Sequence, residues 1–312
     1  MKKISVVIPC YNEEETVEHL INRLKLIHES LISQIQLEVI LVDDHSKDRT
    51  PFLIKEYCIQ FNWIKYMRLS RNCGSHIATI AGLSKSTGDC AIFLAADLQD
   101  PPELIHDMLL KWKEGFAVVW AVRKTRIGVS RFSVAMSNLF YYLLNKMSEV
   151  NFPSKGADYA LLDRKAVDAL VSSAGSKPSI GALISWIGFK QTEIEYVKEE
   201  RKYGVSKWTL SKKLNAFADA FVGFSYLPMR FMSTLGFAAA FIGFIYAAFV
   251  LIGRFVVGSP IPGYASLMIV VLIIGGLQML MLGVLGEYLW RNLEESRRRP
   301  LFLIEDKTGF EE

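Results

Sequence analysis

The sequence predicts an α/β protein, with a doubly wound, mostly parallel sheet, helices at a membrane interface and a C-terminal two-helix transmembrane hairpin. Three observations predict this fold class. Strand and helix patterns alternate along the first part of the chain, and polar residues follow directly after the predicted strands. Two long runs near the C-terminus, 231–253 and 255–286, contain no charged residue.

The first half of the domain follows a strand–helix rhythm. Residues 4–8 form an apolar, β-branched run typical of a buried strand, and residues 12–15 then cap an amphipathic helix that extends to about residue 29. This rhythm is typical of a parallel sheet whose strands end in polar residues. The following segments predict strands at 37–42, 64–69 and 90–95, and a helix that ends near residue 84.

The second half continues with a helix at 103–113 and a strand at 117–122. Residues 130–147 then form an amphipathic helix with unusually large apolar side chains, so it either packs on the core or lies in a membrane interface. Residues 210–224 leave the same choice open, and their position just before the first uncharged run favours the interface.

Each uncharged run can supply the roughly 20 apolar residues that cross a bilayer as a helix. Arg254 is the only charged residue between the runs, whereas several basic residues flank the pair on both sides. The positive-inside rule therefore predicts a multi-pass membrane protein with both termini in the cytoplasm. The predicted divisions are a cytoplasmic domain at 1–229, two transmembrane helices at 230–290 and a cytoplasmic tail at 291–312.

Composition narrows the compartment and the partners. Four cysteines are scattered without CxxC spacing, which favours a reducing compartment and argues against a zinc site. No cleavable signal segment is expected, because residues 4–8 already read as a strand. The net charge of +4 is modest and its basic residues cluster near the membrane ends, which favours anionic lipids over nucleic acid.

Residues 93–103 carry the clearest chemical signal. An apolar run ends at Asp97, Gln99 and Asp100, and two prolines then stop the strand. These oxygen-bearing side chains lie at the carboxyl end of a predicted buried strand, where open α/β sheets bind their ligands. Asp97 and Gln99 offer hard oxygen donors and leave room for waters and a diphosphate, which suits Mg²⁺ or Mn²⁺ better than zinc.

Four motifs occur in a fixed order: PCYNE at 9–13, VDDHSKD at 42–48, RNCG at 71–74 and DLQDPPE at 97–103. Together they resemble the inverting GT-A glycosyltransferases of family 2. The segment RKYGVSKW at 201–208 and the two-span tail narrow the resemblance to the polyprenyl-phosphate glycosyltransferases. That group includes dolichol-phosphate mannose synthases and bactoprenol glucosyltransferases, and the similarity covers nearly the whole chain.

The resemblance implies a nucleotide-sugar site with a divalent ion. An ion held by Asp97 and Gln99 would neutralise the diphosphate leaving group, and Arg201 and Lys207 would add charge-assisted hydrogen bonds. The implied catalytic residues are Asp97, Asp158 and Arg201. The implied donor-binding residues are Pro9, Tyr11, Asn12, Glu13, Asp43, Asp44, Arg71, Asn72, Gly74, Asp97, Gln99 and Lys207.

The acceptor implied by the resemblance is a polyprenyl phosphate such as undecaprenyl phosphate. Arg126 and Arg131 are predicted to meet its headgroup, and Arg123 is predicted to serve either the lipid phosphate or the diphosphate of the donor. A phosphate monoester has a second pKa near ~6, so it is already a nucleophile at neutral pH and needs no strong general base. Asp158 matches the family position for a base or an orienting carboxylate, and we favour orientation.

Structural alternatives remain open for several of these residues. Asp43 and Asp44 could cap a turn after a strand, Arg71 and Asn72 could form a solvated turn, and Asp158 could be a buried carboxylate paired with an arginine. The chain also departs from the family, because Ala95 stands where many relatives carry the first aspartate of Asp-Ala-Asp. One fewer ligand charge should weaken the hold on the ion.

We therefore expect an enzyme that moves one hexose, with glucose the first choice, from a UDP-sugar to undecaprenyl phosphate with inversion. The product would be a sugar donor for cell-envelope glycosylation. N-acetylglucosamine, a modified arabinose and a GDP-mannose donor are rivals for the sugar. A processive polysaccharide synthase is disfavoured because its usual Gln- or Arg-x-x-Arg-Trp motif is missing. A non-catalytic membrane scaffold is the alternative from another class, and the oligomeric state stays open.

Overall fold

The computed structural model describes residues 1–32, 35–124, 157–175, 179–199, 227–257 and 263–310. The chain divides into two compact units. The first comprises residues 1–220 together with 300–312, and the second comprises residues 221–299.

The first unit is built on one eight-stranded sheet. Its strands are β1 (Lys2–Cys10), β2 (Ile35–Asp43), β3 (Ile64–Leu69), β4 (Cys90–Phe93), β5 (Val118–Arg123), β6 (Ala157–Asp163), β7 (Gln191–Tyr196) and β8 (Ile304–Thr308). Their order across the sheet is β7-β5-β6-β4-β1-β2-β3-β8. Strands β4, β1, β2 and β3 run parallel, whereas β6 and β8 run antiparallel to their neighbours. The predicted α/β class is confirmed, and the sheet is mixed.

Helices cover both faces of this sheet. The described helices of the unit are α1 (Val17–Leu31), α2 (Thr50–Gln60), α3 (Ser75–Lys85), α4 (Ile105–Lys113), α5 (Arg164–Ser172) and α6 (Ile180–Trp186). Apolar residues recur every three or four positions in α1, and they join one buried cluster with residues of α2, α4 and one face of β1 and β2. Helix α3 packs on the opposite face, where a Cβ at Gly82 would lie 2.3 Å from Val7 Cγ1. Only glycine allows this close approach.

A buried carboxylate, that of Glu38, connects strands β1, β2 and β3 with the segment that precedes β4. Glu38 in β2 is 2% exposed, and it accepts hydrogen bonds from Ser5 Oγ (2.5 Å), Thr87 N (3.0 Å) and Thr87 Oγ1 (2.9 Å). Lys65 Nζ and Lys3 Nζ lie 2.7 Å and 3.1 Å from its Oε1. Burial acts to raise the pKa of Glu38, but the bonds from Lys65, Ser5 and Thr87 outweigh it and lower the pKa to about 2.

This lowered pKa predicts a specific pH dependence of stability. The usual pKa is 4.5, so the contribution of the ionised Glu38 is complete above pH 4.5 and is lost as the pH falls towards about 2. A shift of this size corresponds to on the order of 3 kcal/mol of unfolding free energy. Unfolding of the full chain in detergent, followed from pH 7 to pH 2.5, should show this loss. A Glu38→Gln variant should be less stable at pH 7 and flatter below pH 4.5; equal slopes for both proteins would refute the assignment.

The second unit contains two long helices, α7 (Leu227–Val257) and α8 (Tyr264–Ser296). Both are long and apolar enough to cross a membrane, with apolar windows at Met229–Tyr246 and Ile273–Ser296, each of mean hydropathy 1.4. Large apolar side chains such as Phe237 and Phe244 are 76% and 81% exposed, so the unit itself does not bury them. This length, composition and exposure fit membrane association.

The C-terminal residues form regular structure. Helix α8 continues to Ser296, and residues 304–308 form a strand. The predicted domain division at residue 290 stays a prediction. Strand β8 pairs with β3, whose edge would otherwise present unpaired backbone groups. The predicted interface helices at 130–147 and 210–224 lie outside the described residues.

Candidate active site

The carboxyl ends of β4, β1, β2 and β3 meet at one edge of the sheet because these strands are parallel. The chain moves outward from β1 to β3 and then returns to β4 on the other side of β1. Open α/β sheets bind ligands at such a reversal of strand order. The four predicted motifs occupy the loops that leave these four strands.

The loop after β1 and the turn after β2 are connected by hydrogen bonds. The backbone N–H of Asn12 donates to Ser46 Oγ (2.9 Å), and the Lys47 N–H donates to Asn12 Oδ1 (2.8 Å). The Glu13 N–H donates to Thr50 Oγ1 at 2.8 Å. The predicted donor-binding residues Tyr11, Asn12 and Glu13 are half-buried in this loop, and Pro9 is half-buried at the end of β1.

Asp43 lies under the same turn and is fully buried. Its Oδ1 accepts from Ser46 N at 2.8 Å, and its Oδ2 pairs with Arg68 Nη1 and lies 3.5 Å from the hydroxyl of Tyr66. Both oxygens therefore have partners inside the protein. This geometry agrees with the turn-capping alternative, and direct contact between Asp43 and a nucleotide stays a prediction.

Asp44 holds the loop that leads into α3. Its Oδ1 accepts from Cys73 N (2.7 Å) and its Oδ2 from Gly74 N (2.8 Å). Burial raises the pKa of Asp44, and these two N–H donors only partly offset that effect. Arg71 and Asn72 lie exposed on this loop, and Asn72 Nδ2 donates to the Asp44 carbonyl at 3.2 Å. Their contact with a nucleotide stays a prediction. Gly74 has φ +90°, a backbone conformation that residues other than glycine rarely adopt.

Strained backbone marks three of the four loops. Asn12, His45 and Leu98 have φ values of 51°, 63° and 58°, in the left-handed region that non-glycine residues disfavour. They follow β1, β2 and β4 respectively. Strain of this kind persists where the surroundings fix the backbone, and it concentrates at functional sites.

Further predicted residues reach this edge through the sheet register. Arg123 ends β5 opposite Tyr196 of β7, and it is half-buried. Asp158 lies near the start of β6, which runs antiparallel to β4 and β5, so its backbone is at the edge where those strands end. The side chain of Asp158 lies outside the described residues, as do Arg126, Arg131, Arg201 and Lys207.

The family model for glycosyl transferase family 2 matches residues 5–171, which hold all four motif loops. The chain belongs to glycosyltransferase family 2. It is therefore a transferase enzyme, as the ordered motifs predict.

Full-length relatives agree with this membership. The chain is 39% identical to the uncharacterized glycosyltransferase sll0501 of Synechocystis sp. over 99% of its length and 96% of that protein. It is 38% identical to the uncharacterized glycosyltransferase YkcC of Bacillus subtilis, over 98% of the chain and 94% of the relative. It is 32% identical to the bactoprenol glucosyl transferase of Shigella phage SfV, over 98% and 99% of the two chains. The similarity thus includes both long apolar helices.

The donor set of this family 2 enzyme at the end of β4 fits a hard divalent ion. Asp97 and Gln99 are half-buried, and the Gln99 N–H donates to Asp97 Oδ1 at 3.2 Å, which folds the loop tightly. One carboxylate and one amide oxygen leave most of an octahedral shell for waters and phosphate oxygens, as Mg²⁺ commonly requires. Within the described residues, no group of three His, Cys, Asp or Glu side chains could hold a metal by itself.

The same loop is braced by residues that sequence reasoning missed. Asp100 is buried, and it accepts a hydrogen bond from the Tyr196 hydroxyl (2.6 Å) and pairs with Lys198 Nζ (3.2 Å). The Glu199 N–H donates to the Gln99 carbonyl at 2.9 Å. The end of β7 therefore holds the loop of Asp97 and Gln99. Asp100 is one of the oxygen-bearing residues of that loop, but its partners are almost 100 residues away in sequence.

Proposed function

We propose that the protein transfers one hexose, with glucose the first choice, from a UDP-sugar to undecaprenyl phosphate with inversion at the anomeric carbon. The observation that carries the proposal is the likeness to bactoprenol glucosyl transferases over almost the entire chain, including the apolar helix pair. The cluster of family motifs at one sheet edge supports it. The product, a polyprenyl-phosphate sugar, would serve cell-envelope glycosylation.

The chemistry needs little beyond positioning and charge. A phosphate oxygen of the acceptor attacks the anomeric carbon, the bond to the nucleoside diphosphate breaks, and the electron pair leaves on the β-phosphate oxygen. Asp97 and Gln99 would hold Mg²⁺ or Mn²⁺, which would supply positive charge to that leaving group. The acceptor phosphate is already ionised at neutral pH, so Asp158 would orient it rather than remove a proton. Arg123, Arg126 and Arg131 would bind its charge.

Membrane anchorage gains support from the sheet itself. Strand β3 precedes both long helices, strand β8 follows them, and the two strands pair along one edge. Both flanks of the helix pair must therefore lie on the same side of any membrane that the helices cross. A chain that crosses the membrane twice meets this condition, whereas a chain that crosses it once does not. Together with the flanking basic residues, this supports a multi-pass plasma-membrane protein whose catalytic domain and termini are cytoplasmic.

The test is transfer from a panel of radiolabelled sugar nucleotides to undecaprenyl phosphate by the purified full chain, read as label in the lipid extract. The panel contains UDP-glucose, UDP-N-acetylglucosamine, a UDP-linked modified arabinose and GDP-mannose. We expect the highest kcat/KM with UDP-glucose. Higher turnover with another donor would correct the sugar, and no lipid-linked label with any donor would refute the proposal.

A second prediction concerns the arginine that the family resemblance places on the diphosphate. Arg201→Ala should reduce kcat/KM by roughly 10- to 100-fold, the value of one or two charge-assisted hydrogen bonds. The matched control is Arg291→Ala on α8, where Arg291 Nε pairs with Glu287 Oε1 at 3.0 Å in the same helix. Initial rates with saturating acceptor would measure both effects. Equal losses in the two variants would remove the phosphate role of Arg201.

A further inference from the structure

The tail strand β8 does more than cover the edge of the sheet. It lies beside β3, the strand that leads into the loop of Arg71 and Gly74. The Ser70 N–H, directly before that loop, donates to the Leu303 carbonyl at 2.9 Å. The polypeptide that follows α8 is thus in contact with the base of a predicted donor-binding loop.

The side chain of Glu305 connects the tail with the turn after β2 through Arg68. Glu305 Oε2 accepts from Arg68 Nε at 2.8 Å. The other two guanidinium nitrogens of Arg68 engage the turn, because Nη1 pairs with buried Asp43 and Nη2 donates to the Ser46 carbonyl at 3.2 Å. The planar guanidinium holds its donors in a fixed fork, so a bond at Nε sets the direction of the other two.

The turn that Arg68 supports connects to the remaining loops. Ser46 accepts the Asn12 N–H of the loop after β1, and Asp44 in the same turn accepts the two N–H groups of the loop before α3. His45, with its strained backbone, places Nδ1 3.2 Å from the Leu69 carbonyl and 3.6 Å from Glu305. A continuous chain of contacts therefore connects the tail with two predicted donor-binding loops, the loop after β1 and the loop before α3.

We infer that Glu305 is a positioning residue for the donor site, through which the strand that follows the second apolar helix orients Arg68 and the turn at Asp43–Ser46. The inference rests on the proposed donor site. Glu305 is 48% exposed, so its ion pair adds little to overall stability. Its effect should instead appear in donor binding, because the loops that Arg68 orients are those predicted to surround the nucleotide.

The test compares Glu305→Ala, Glu305→Gln and the control Glu114→Ala in the full chain, in detergent. Glu114 directly follows α4, is 51% exposed and pairs with Lys111 of α4 at 3.0 Å, so it forms a matched surface ion pair outside the donor site. We expect Glu305→Ala to raise the Kd of UDP, measured by calorimetry, and the KM of the sugar nucleotide by about fivefold, with kcat unchanged. Glu305→Gln keeps an acceptor for Arg68 Nε and should restore most of the affinity. Glu114→Ala should leave both constants unchanged.

Repeating the Glu305→Ala change in an Arg68→Lys variant distinguishes a positioning role of Glu305 from an effect on general stability. Arg68→Lys keeps a charge for Asp43 but cannot fork between the turn and the tail, so adding Glu305→Ala to it should cause no further loss of UDP affinity. Unchanged UDP affinity in Glu305→Ala, or a fall in kcat alone, would overturn the positioning role. If the wild-type chain itself does not bind UDP, the proposed donor is wrong; if only the variants fail to differ, the proposed function stands without this role.

Discussion

Replacing Asp97 with asparagine should reduce sugar transfer by about 10²- to 10³-fold, the usual cost of removing one preorganised electrostatic group from an active site. The change keeps the shape of the side chain and removes its negative charge. Asp97 is the only carboxylate in the proposed ligand pair, because the other proposed ligand, Gln99, carries an amide. The remaining amide oxygens are weaker ligands for a hard ion, so the ion should bind less tightly and the leaving diphosphate should lose its counter-charge.

Two measurements would establish this result. Initial rates with Mg²⁺ or Mn²⁺ give the activity, and the electron paramagnetic resonance of free Mn²⁺, titrated with protein and UDP, gives metal affinity independently of turnover. Asp107→Asn is the control, since Asp107 is an exposed carboxylate on α4, ten residues further along. Full activity and unchanged Mn²⁺ affinity in Asp97→Asn would show that the metal assignment is wrong.

Much of the fold could be predicted because the relevant signals are local. Strand β3 has the predicted limits, 64–69, and β1 and β2 extend the predicted segments by one or two residues at each end. Strand β8 was missed for a physical reason. Its sequence, Ile-Glu-Asp-Lys-Thr, has little apolar character, and it forms a strand because β3 offers an unpaired edge far away in sequence. Helix α2 was also missed, because its apolar residues do not form one clear face and only Thr50 and Ile54 in it are buried.

In the candidate site, too, the local features could be predicted from the sequence, whereas the contacts between residues distant in sequence could not. The positions of Asp44, Asp97 and Gln99 at strand ends follow from the pattern of each strand with its polar end. Their partners do not follow from it. Asp43 pairs with Arg68, which lies on a neighbouring strand, and Asp100 meets Tyr196 from the far end of the sheet. Only the assembled strand order brings such residues together, so sequence reasoning could not find that Asp43 contacts Arg68 and Tyr66 of β3 as well as Ser46 of the turn.

Asp44→Asn should weaken binding of the nucleotide by about 5- to 150-fold. The carboxylate uses one oxygen for Cys73 N and the other for Gly74 N, at 2.7 Å and 2.8 Å. An asparagine has one acceptor oxygen, and its amide N–H₂ would face the second backbone donor. A buried donor left without a partner costs about 1–3 kcal/mol. Glycine adopts positive and negative φ about equally well, so Gly74 gives the loop before α3 little local preference for the observed φ of +90° without Asp44.

Calorimetric titration with UDP, alongside thermal unfolding, would measure both consequences of Asp44→Asn. Asp89→Asn is the matched control, because Asp89 also accepts a backbone N–H, from Lys3 at 2.7 Å, but it does so at the opposite edge of the sheet. The control should lose some stability and keep its affinity for UDP. If Asp44→Asn bound UDP as tightly as the wild type, the loop at Arg71–Gly74 would not belong to the donor site. Since Asp44 fixes this loop through two direct hydrogen bonds, its replacement tests the donor site more directly than a change in an exposed residue such as Arg71.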